Sequence, residues 1–458
     1  MRFKILHTND IHSNFENFAK ITTKIKELKD ENTLILDAGD FHDFKDIMLQ
    51  GTAGAAGGKL LEEAGYDAIA IGNNEGFEGM NRIEIMTKNK NIPFLSCNIV
   101  KLDGHKIEGV KKSIIIEKGG VRFLIIGTSP NYDVFFNLMG MDTLNYKEAI
   151  QKEIEDNAGK YDICILLSHL GLREDKDIAE TMEGIDIIID GHSHILMEEP
   201  LVINNTILHM SGCYGENLGI FEFEYEKGIR DFSGINIKIE NTEMDKNILN
   251  LLKINRNIAE ENLGTPLYSI NQHIWHDVVE ENPITNLLAD ALRDKLKCDI
   301  GLINSGVING GIRKGEVSFK KLIEICPSPL NPTYMEIKGK YIKEALQQSL
   351  DHEVCYKDGK GPGCRGKYLG RLHISGAVIK YKDKKIKSIL LAGKELEEDK
   401  YYTVAAGDNL QRGTGYTSLQ NNKNERYNPE YLRILLKEYL AKDDFFSRSF
   451  EDRWIEER

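Results

Sequence analysis

The chain has 458 residues, 41% hydrophobic and 29% charged, a composition typical of a globular protein with two or three domains. Its formal net charge of −13 argues against long-range attraction to a nucleic acid polymer or an anionic membrane, although a small phosphate compound can still bind where cations reverse the local field. No apolar stretch approaches the roughly 20 residues of a membrane helix, and no secretory signal pattern is present, so we expect a cytoplasmic protein.

Five short apolar runs in the first half each lead to side chains that can bind a metal ion. Such runs, bounded by Gly, Asp or Asn, indicate buried strands, and the helical periodicity between them indicates an α/β fold. In α/β sheets, ligands collect outside the carboxyl ends of the strands. The runs at residues 3–6, 33–36, 68–71, 163–167 and 185–189 lead, in this order, to Asp10 with His12, to Asp40, to Asn73, to His169, and to His192 with His194.

These seven side chains offer only oxygen and imidazole ligands, which suit Mn, Fe, Zn or Co better than a thiolate zinc site. Asp10 and His12 are two residues apart, so both point to one face if the strand geometry continues that far. Seven ligands are too many for one tetrahedral ion, but shared through Asp40 they fit two divalent ions about 3.5–4 Å apart. Such a pair acidifies a bridging water and neutralises phosphate oxygens, so the spacing favours a dinuclear hydrolase.

The pattern of elements changes in the middle of the chain. Residues 241–263 are polar and compatible with a helix, which we expect to connect a first domain at residues 1–240 to a second at 264–458. The seven cysteines include no C-x-x-C motif, so reduced thiols are expected. Cys355 and Cys364 flank a Gly-rich loop, and whether they pair stays open.

The five metal-binding motifs together resemble a known family. They read Thr-Asn-Asp-x-His, Gly-Asp, Gly-Asn-x-Glu, Ser-His-Leu-Gly and Gly-His-Ser-His, and in this order they resemble the 5′-nucleotidase family of calcineurin-like metallophosphoesterases. The resemblance implies a four-layer α/β/β/α sandwich joined by a helix to a smaller α/β C-terminal domain. It also implies one metal ion at Asp10, His12, Asp40 and His194, and a second at Asp40, Asn73, His169 and His192.

One motif departs from the family pattern. Where the family has Gly-Asn-His-Glu-Phe-Asp, this chain has Asn74 at the His position and Phe77 at the Asp position, and it resembles a bacterial branch with Gly-Asn-Asn-Glu. Asn can donate a hydrogen bond to a phosphate oxygen but cannot deliver a proton to a leaving alkoxide, a loss that costs about 10²–10⁴ in rate. Three interpretations stay open: a preference for good leaving groups, compensation by His42 or Asp43, or binding without turnover.

The second half resembles the 5′-nucleotidase C-terminal domain, which holds the nucleotide base and ribose. Its Gly-Gly-Ile-Arg motif implies Arg313 as a phosphate anchor. Asn304 and Asn331 could contact sugar hydroxyls or a phosphate, although Asn beside Gly and Pro is also typical of turns. The family's base-stacking Phe has no counterpart, so Tyr416, and less directly Tyr368, are the candidates for stacking.

The sequence therefore favours a metal-dependent phosphohydrolase that acts on a nucleotide or a related small phosphate ester. The resemblance implies in-line attack by a metal-bridged hydroxide, with Asn74 orienting the phosphate. Two alternatives remain: a nucleotide-binding or sensing protein with little turnover, and a 2′,3′-cyclic nucleotide phosphodiesterase.

Overall fold

The computed structural model describes residues 1–88, 91–359 and 364–457. The chain divides into two compact units, Met1–Glu260 and Glu261–Arg458, and each is described by itself. The predicted connecting helix overlaps a helix at Lys246–Gly264 that contains this division. Among the described residues, no helix has both the length and the apolar character that a membrane crossing requires.

The first unit alternates strands and helices through most of its length. Its strands are β1 (Arg2–Thr8), β2 (Thr33–Asp37), β3 (Ala68–Ala70), β4 (Phe94–Leu95), β5 (Ile99–Lys101), β6 (Val110–Lys111), β7 (Ser113–Lys118), β8 (Val121–Thr128), β9 (Met141–Thr143), β10 (Ile163–Ser168), β11 (Ile187–Asp190), β12 (Leu201–Ile203), β13 (Thr206–His209), β14 (Asn217–Tyr225) and β15 (Ile229–Lys238). Its helices are α1 (Phe15–Leu28), α2 (Ile47–Gly51), α3 (Ala55–Ala64), α4 (Asn73–Phe77), α5 (Met80–Thr87), α6 (Asp133–Leu138), α7 (Tyr146–Asp156), α8 (Leu172–Thr181) and α9 (Lys246–Gly264).

Two sheets form the centre of the first unit. Among the described residues, one has the strand order β15-β14-β1-β2-β3-β4-β6 and the other β12-β13-β11-β10-β8-β7. Strands β1 to β4 pair in parallel, as do β8, β10, β11 and β13. The carboxyl ends of parallel strands meet at one edge of a sheet, so the segments after β1, β2 and β3 come together, as do those after β10 and β11.

The side chains of β10 show why the sheets stack face to face. Ile163, Ile165 and Leu167 lie in a buried cluster with Phe3 and Ile5 of the other sheet. The alternate residues of β10 instead join a cluster with residues of α7 and α8. Successive side chains of a strand point to opposite faces of the sheet, so a strand that is covered on both faces needs apolar residues at every position. A third cluster packs α1 to α5 on the first sheet, which confirms the predicted four-layer sandwich.

The second unit is a mixed α/β domain. Its strands are β16 (Pro266–Ile270), β17 (Ile300–Asn304), β18 (Gly315–Ser318), β19 (Pro332–Lys338), β20 (Leu372–Ser375), β21 (Ala377–Lys382), β22 (Lys385–Leu391), β23 (Lys394–Glu395), β24 (Tyr401–Gly407), β25 (Asn422–Tyr427) and β26 (Trp454–Glu456). Its helices are α10 (Pro283–Leu296), α11 (Phe319–Ile325), α12 (Gly339–Gln348), α13 (His352–Cys355), α14 (Asp408–Gln411), α15 (Leu432–Leu440) and α16 (Asp443–Arg448).

The main sheet of this unit has the order β20-β17-β24-β19-β25. Its two faces are covered by separate apolar clusters, with Ile303 packed in the cluster of α10, α11 and α15, and Leu302 in the cluster of α12. Cys355 and Cys364 both carry free thiols, so the disulfide that the sequence left open is not formed in the structure.

Candidate metal centre and substrate-binding residues

Five of the seven predicted metal ligands have a left-handed backbone, which residues other than Gly rarely adopt. Their φ values are 51° for Asp10, 47° for His12, 54° for Asp40, 68° for His192 and 57° for His194. Hydrogen bonds between the loops hold this conformation, because the Asp10 N–H donates to the Gly39 carbonyl at 2.9 Å and the His12 N–H to the Asp40 carbonyl at 3.0 Å. Backbone strain of this kind persists where the surrounding structure fixes it, most often at functional sites.

The ligand atoms form two groups that share Asp10. In the first group, Nε2 of His194 and Nε2 of His12 lie 3.2 and 3.5 Å from Asp10 Oδ1. In the second, Nε2 of His169 lies 3.3 Å from Asp40 Oδ1 and 3.9 Å from Asp10 Oδ1. All ligand atoms within a group are less than 4.8 Å apart. The resemblance implies Asp40 as the shared residue; in the structure Asp10 belongs to both groups, and Asp40 Oδ2 also lies 3.8 Å from His12 Nε2.

The other two predicted ligands lie beside the second group. The His192 ring is centred 5.2 Å from the His169 ring, and the His192 N–H donates to Asp10 Oδ2 at 2.8 Å. Asn73 begins α4 and is followed by Asn74, whose backbone N–H donates to Asp40 Oδ1 at 2.8 Å. The structure thus brings strand ends of both sheets to one place, although the seven-residue ligand set remains a prediction.

Buried atoms at the cluster fit a bound cation. Asp10 Oδ1, Asn73 Oδ1 and His169 Nε2 are buried and have no hydrogen-bond partner among the described residues. An unsatisfied buried polar atom costs about 1–3 kcal/mol, so three in one place call for a ligand. His169 is also oriented for coordination, because its Nδ1 donates to the Ala38 carbonyl at 2.6 Å and leaves Nε2 as the free ligand atom.

The two carboxylates dominate the electrostatics of the cluster. Although burial alone would lower it, Asp40 and Asp10 raise the pKa of His169 to about 10. The neighbouring Asp10 carboxylate raises the pKa of His194 to about 10 as well. The histidines in turn hold the pKa of Asp10 well below its usual range despite its burial. Two carboxylates that attract this much positive charge are suited to divalent ions.

Gly72 and Glu75, both in the third motif, hold Asp40 in place. A Cβ atom on Gly72 would lie 2.2 Å from Asp40 Oδ1, so any larger residue would displace the carboxylate. The Glu75 carboxylate accepts backbone N–H groups from Asp40, His42 and Gly72 at 3.2, 3.0 and 2.9 Å. Burial raises the pKa of Glu75 to about 7. The sequence showed Glu75 only as part of a motif, and its positioning role emerges from these three contacts.

The three predicted catalytic residues have other contacts in the structure. The Asn74 amide donates to Asp40 Oδ2 at 2.5 Å. The His42 ring packs against Gly57 of α3, and burial lowers the pKa of His42 to about 4. Asp43 is buried and accepts the Lys45 N–H at 3.1 Å. Asn74 contacts Asp40 directly, whereas His42 and Asp43 contact Gly57 and Lys45, and the catalytic roles of all three stay predictions.

One aromatic residue at the cluster was not found from the sequence. The Tyr214 ring is centred 5.6 Å from the His12 ring and 5.7 Å from the His194 ring, and it is 45% exposed. Its backbone N–H donates to the Asp10 carbonyl at 2.7 Å. The only local signal is a tyrosine between two glycines, Gly212 and Gly215, which is too common a pattern to indicate a site.

Three of the four predicted substrate residues of the second unit are buried and donate to backbone carbonyls. Tyr416 is fully buried and its hydroxyl donates to the Gly370 carbonyl at 2.6 Å. Asn304 is buried and donates to the Leu369 carbonyl at 2.6 Å. The buried Asn331 donates to the Asn428 carbonyl at 2.8 Å. Arg313 is exposed between a β-bridge at Ile312 and strand β18. Their substrate roles stay predictions.

Comparison with known proteins agrees with this geometry. Residues 3–196 match the calcineurin-like phosphoesterase family, and residues 261–421 match the 5′-nucleotidase C-terminal domain. The chain is 29% identical to the uncharacterized metallophosphoesterase YunD of Bacillus subtilis over 96% of this chain and 99% of that one. It is 26% identical to a 5′-nucleotidase of Vibrio vulnificus over 96% and 90% of the two chains. Its fold matches the structure of the NAD nucleotidase of Haemophilus influenzae with a TM-score of 0.69, at 15% identity and covering 100% and 97% of the two chains.

The fold, the Asp and His cluster and these matches define a hydrolase that acts on phosphoester bonds. The chain carries a calcineurin-like phosphoesterase domain followed by a 5′-nucleotidase C-terminal domain, which confirms the resemblance of its five motifs to the 5′-nucleotidase family.

Proposed function

We propose that this protein hydrolyses small-molecule phosphate esters, nucleotides among them, at a centre of two divalent ions. Asp10, His12, Asp40, Asn73, His169, His192 and His194 would hold the ions. The observation that carries the proposal is the convergence of buried ligand atoms without hydrogen-bond partners on two groups that share Asp10. Oxygen and imidazole donors fit Mn, Zn, Fe or Co.

When bound, divalent ions supply the Lewis acidity that activates water and neutralises phosphate oxygens. The chain's own residues fix the geometry of this chemistry. The Ala38 carbonyl orients His169, and Glu75 holds the backbone that carries Asp40. Backbone N–H groups also fix both carboxylates, with His192 donating to Asp10 and Asn74 donating to Asp40. Such preorganisation keeps ligands from reorienting during the reaction.

Neither Asn74 nor His42 is suited to donate a proton to the leaving group. An amide at position 74 has no acidic proton to give, and the amide of Asn74 is already engaged with Asp40. With a pKa of about 4, His42 is neutral at pH 7 and is a poor acid there. The rate should therefore depend steeply on the leaving group, with aryl phosphates and anhydrides hydrolysed faster than alkyl esters.

The test is steady-state phosphate release by the metal-loaded protein. Substrates would be p-nitrophenyl phosphate, alkyl phosphates, nucleoside monophosphates, 2′,3′-cyclic nucleotides and UDP-sugars, each with Mn²⁺ and with a chelator. Asp40→Asn should abolish turnover, whereas Asp103→Asn, which changes an exposed aspartate of the same unit, should leave it unchanged. Equal turnover in Asp40→Asn would disprove the proposed centre.

The same panel separates the alternatives. A preference for cyclic over monoester substrates would indicate a 2′,3′-cyclic nucleotide phosphodiesterase. Tight binding of metal and nucleotide without any turnover would indicate a nucleotide-binding or sensing protein. Hydrolysis of nucleotides would give the protein a role in nucleotide catabolism, and its cytoplasmic location stays a prediction.

A further inference from the structure

The first turn of α8 contacts two of the loops that carry predicted metal ligands. The backbone N–H of Leu172, its first residue, donates to the hydroxyl of Ser193, which lies between the last two predicted ligands, at 2.8 Å. Further along the same turn, Asp175 Oδ1 accepts the Ser168 hydroxyl at 2.7 Å, and Ser168 directly precedes His169. One turn of helix therefore contacts both loops that the second sheet contributes to the metal centre.

The hydroxyl of Ser168 uses its whole hydrogen-bonding capacity, which is one donor and two acceptor sites. It donates to Asp175, and its oxygen accepts the Leu170 N–H and the Thr128 hydroxyl, both at 3.2 Å. The bond from Leu170 spans His169, so the serine oxygen closes a turn around this ligand. That oxygen can accept both bonds only while its hydrogen points at Asp175. The carboxylate of Asp175 therefore fixes the orientation of the turn.

The same turn connects the two ligand loops. The His169 N–H donates to the Thr128 carbonyl at 3.0 Å, and the Ser168 carbonyl accepts the Gly191 N–H at 3.0 Å. Gly191 directly precedes His192, another predicted ligand. A change in the position of Ser168 would therefore reach ligands in both loops.

The usual structural roles of a carboxylate do not account for Asp175. Its side chain is fully buried, and burial of a carboxylate costs free energy unless its contacts compensate. It does not cap α8, whose N-cap is Gly171, and Glu174 of the same turn already interacts with the helix dipole. Its carboxyl group neighbours that of Asp190, and like charges do not compensate for burial. The hydrogen bond from Ser168 is thus the contact that explains a carboxylate here.

We propose that Asp175 is a positioning residue, which acts through Ser168 to hold His169 in the orientation that binds a divalent ion. This inference rests on the proposed function, because it presupposes the metal centre. Without the acceptor at Asp175, the Ser168 hydroxyl would turn toward another group and release the Leu170 N–H, and the turn around His169 would loosen. Loss of a contact that orients a ligand typically weakens metal affinity by about 10–100-fold.

The test is titration of the metal-free protein with Mn²⁺, in which the electron paramagnetic resonance signal of free Mn²⁺ reports binding without any substrate. Asp175→Ala and Ser168→Ala should each weaken the binding of at least one Mn²⁺ ion by about tenfold or more. The double variant should be no weaker than the single ones, because all three lose the same contact. Asp175→Asn should stay within about threefold of the unaltered protein, since its amide oxygen accepts the same hydroxyl.

The matched control is Asp177→Ala, which changes a half-exposed aspartate of the same helix and should leave Mn²⁺ affinity unchanged. Melting temperatures in the presence of a chelator identify the folded variants, and Ser168→Ala carries the test if Asp175→Ala does not fold.

Three results would overturn the positioning role. They are unchanged Mn²⁺ affinity in the alanine variants, a double variant whose loss is the product of the single losses, and an Asp175→Asn loss as large as that of Asp175→Ala. An unaltered protein that binds no Mn²⁺ would disprove the metal centre and this inference together. Tight Mn²⁺ binding without turnover of p-nitrophenyl phosphate would contradict only the proposed hydrolysis.

Discussion

Replacing Gly72 by Ala should disable the metal centre through one added methyl group. Gly72 has φ −86°, which alanine adopts without strain, so the effect comes from packing alone. The new Cβ would lie 2.2 Å from Asp40 Oδ1 and 2.5 Å from the Asp40 nitrogen, whereas ordinary contacts begin at 3.4 Å. Asp40 must therefore move by about 1 Å, and a misplacement of that size can cost about 10²-fold in rate.

The assay is kcat/KM for p-nitrophenyl phosphate with Mn²⁺, with the melting temperature measured alongside to confirm folding. The matched control is Gly228→Ala in the same unit, where an added Cβ has no neighbour within 4 Å. We expect a loss of about 10²-fold for Gly72→Ala and less than about threefold for the control. A folded Gly72→Ala protein with activity within tenfold of the original would refute the claim that Gly72 sets the position of Asp40.

Three further predictions concern stability. Burial lowers the pKa of His209 from 6.5 to about 4. The contribution of neutral His209 to the unfolding free energy is therefore complete above pH 6.5. It is lost as the pH falls, because the unfolded state takes up the proton first. Between pH 8 and 5, His209 should account for about 2 kcal/mol of the loss of unfolding free energy in chelator-treated protein. Its partner His7 also has a lowered pKa, so His209→Asn should reduce the slope, whereas the exposed His105→Asn should leave it unchanged. Mn²⁺ at 1,000 times its Kd should stabilise the protein by about 4 kcal/mol, and a melting shift that persists in Asp10→Asn would place the ion elsewhere. Tyr416→Phe deprives the Gly370 carbonyl of its donor and should cost about 1–3 kcal/mol without changing KM, whereas a raised KM would show substrate contact.

The fold could be predicted because the strands of the first unit carry a strong local signal. In β10 all six residues are buried, and the first five alternate between two apolar clusters, so the sequence shows a continuous apolar run. Parallel pairing places the carboxyl ends of the strands at one edge of a sheet, so ligand-bearing residues that follow strands of the same sheet lie near one another. Stacking of the two sheets then brings the two sets together. This physical rule is why five separated motifs could be assigned to one cluster from the sequence.

The direction of the individual ligands could not be predicted in the same way. The argument from i, i+2 spacing assumed extended backbone, but β1 ends at Thr8, and Asp10 and His12 have left-handed φ values. Backbone of this kind is set by hydrogen bonds to the loop after β2, which the local sequence does not encode. For that reason spacing could not show that Asp10 belongs to both ligand groups.

The second unit was harder because its signals are short. A Gly-Gly-Ile-Arg motif fits many loops, and the structure has Arg313 exposed while Asn309, earlier in the same loop, lines a cavity that Arg365 and Lys367 also line. Arg365 and Lys367 lie in no recognisable motif. They come next to Gly306 only because two glycine backbones allow the chain to approach so closely, a tertiary effect that composition and periodicity cannot reveal.

The division of the ligands between two sheets has a consequence for how the protein matures. Asp10 and Asp40 follow strands of one sheet, whereas His169 and His194 follow strands of the other and lie more than a hundred residues later in the chain. Neither sheet alone holds a complete group of candidate ligands, so metal capture by a nascent chain would require that both sheets have stacked. Metal would then bind only after the sandwich has formed. Once bound, it would oppose sliding of one sheet over the other, because each ligand group contains residues of both sheets.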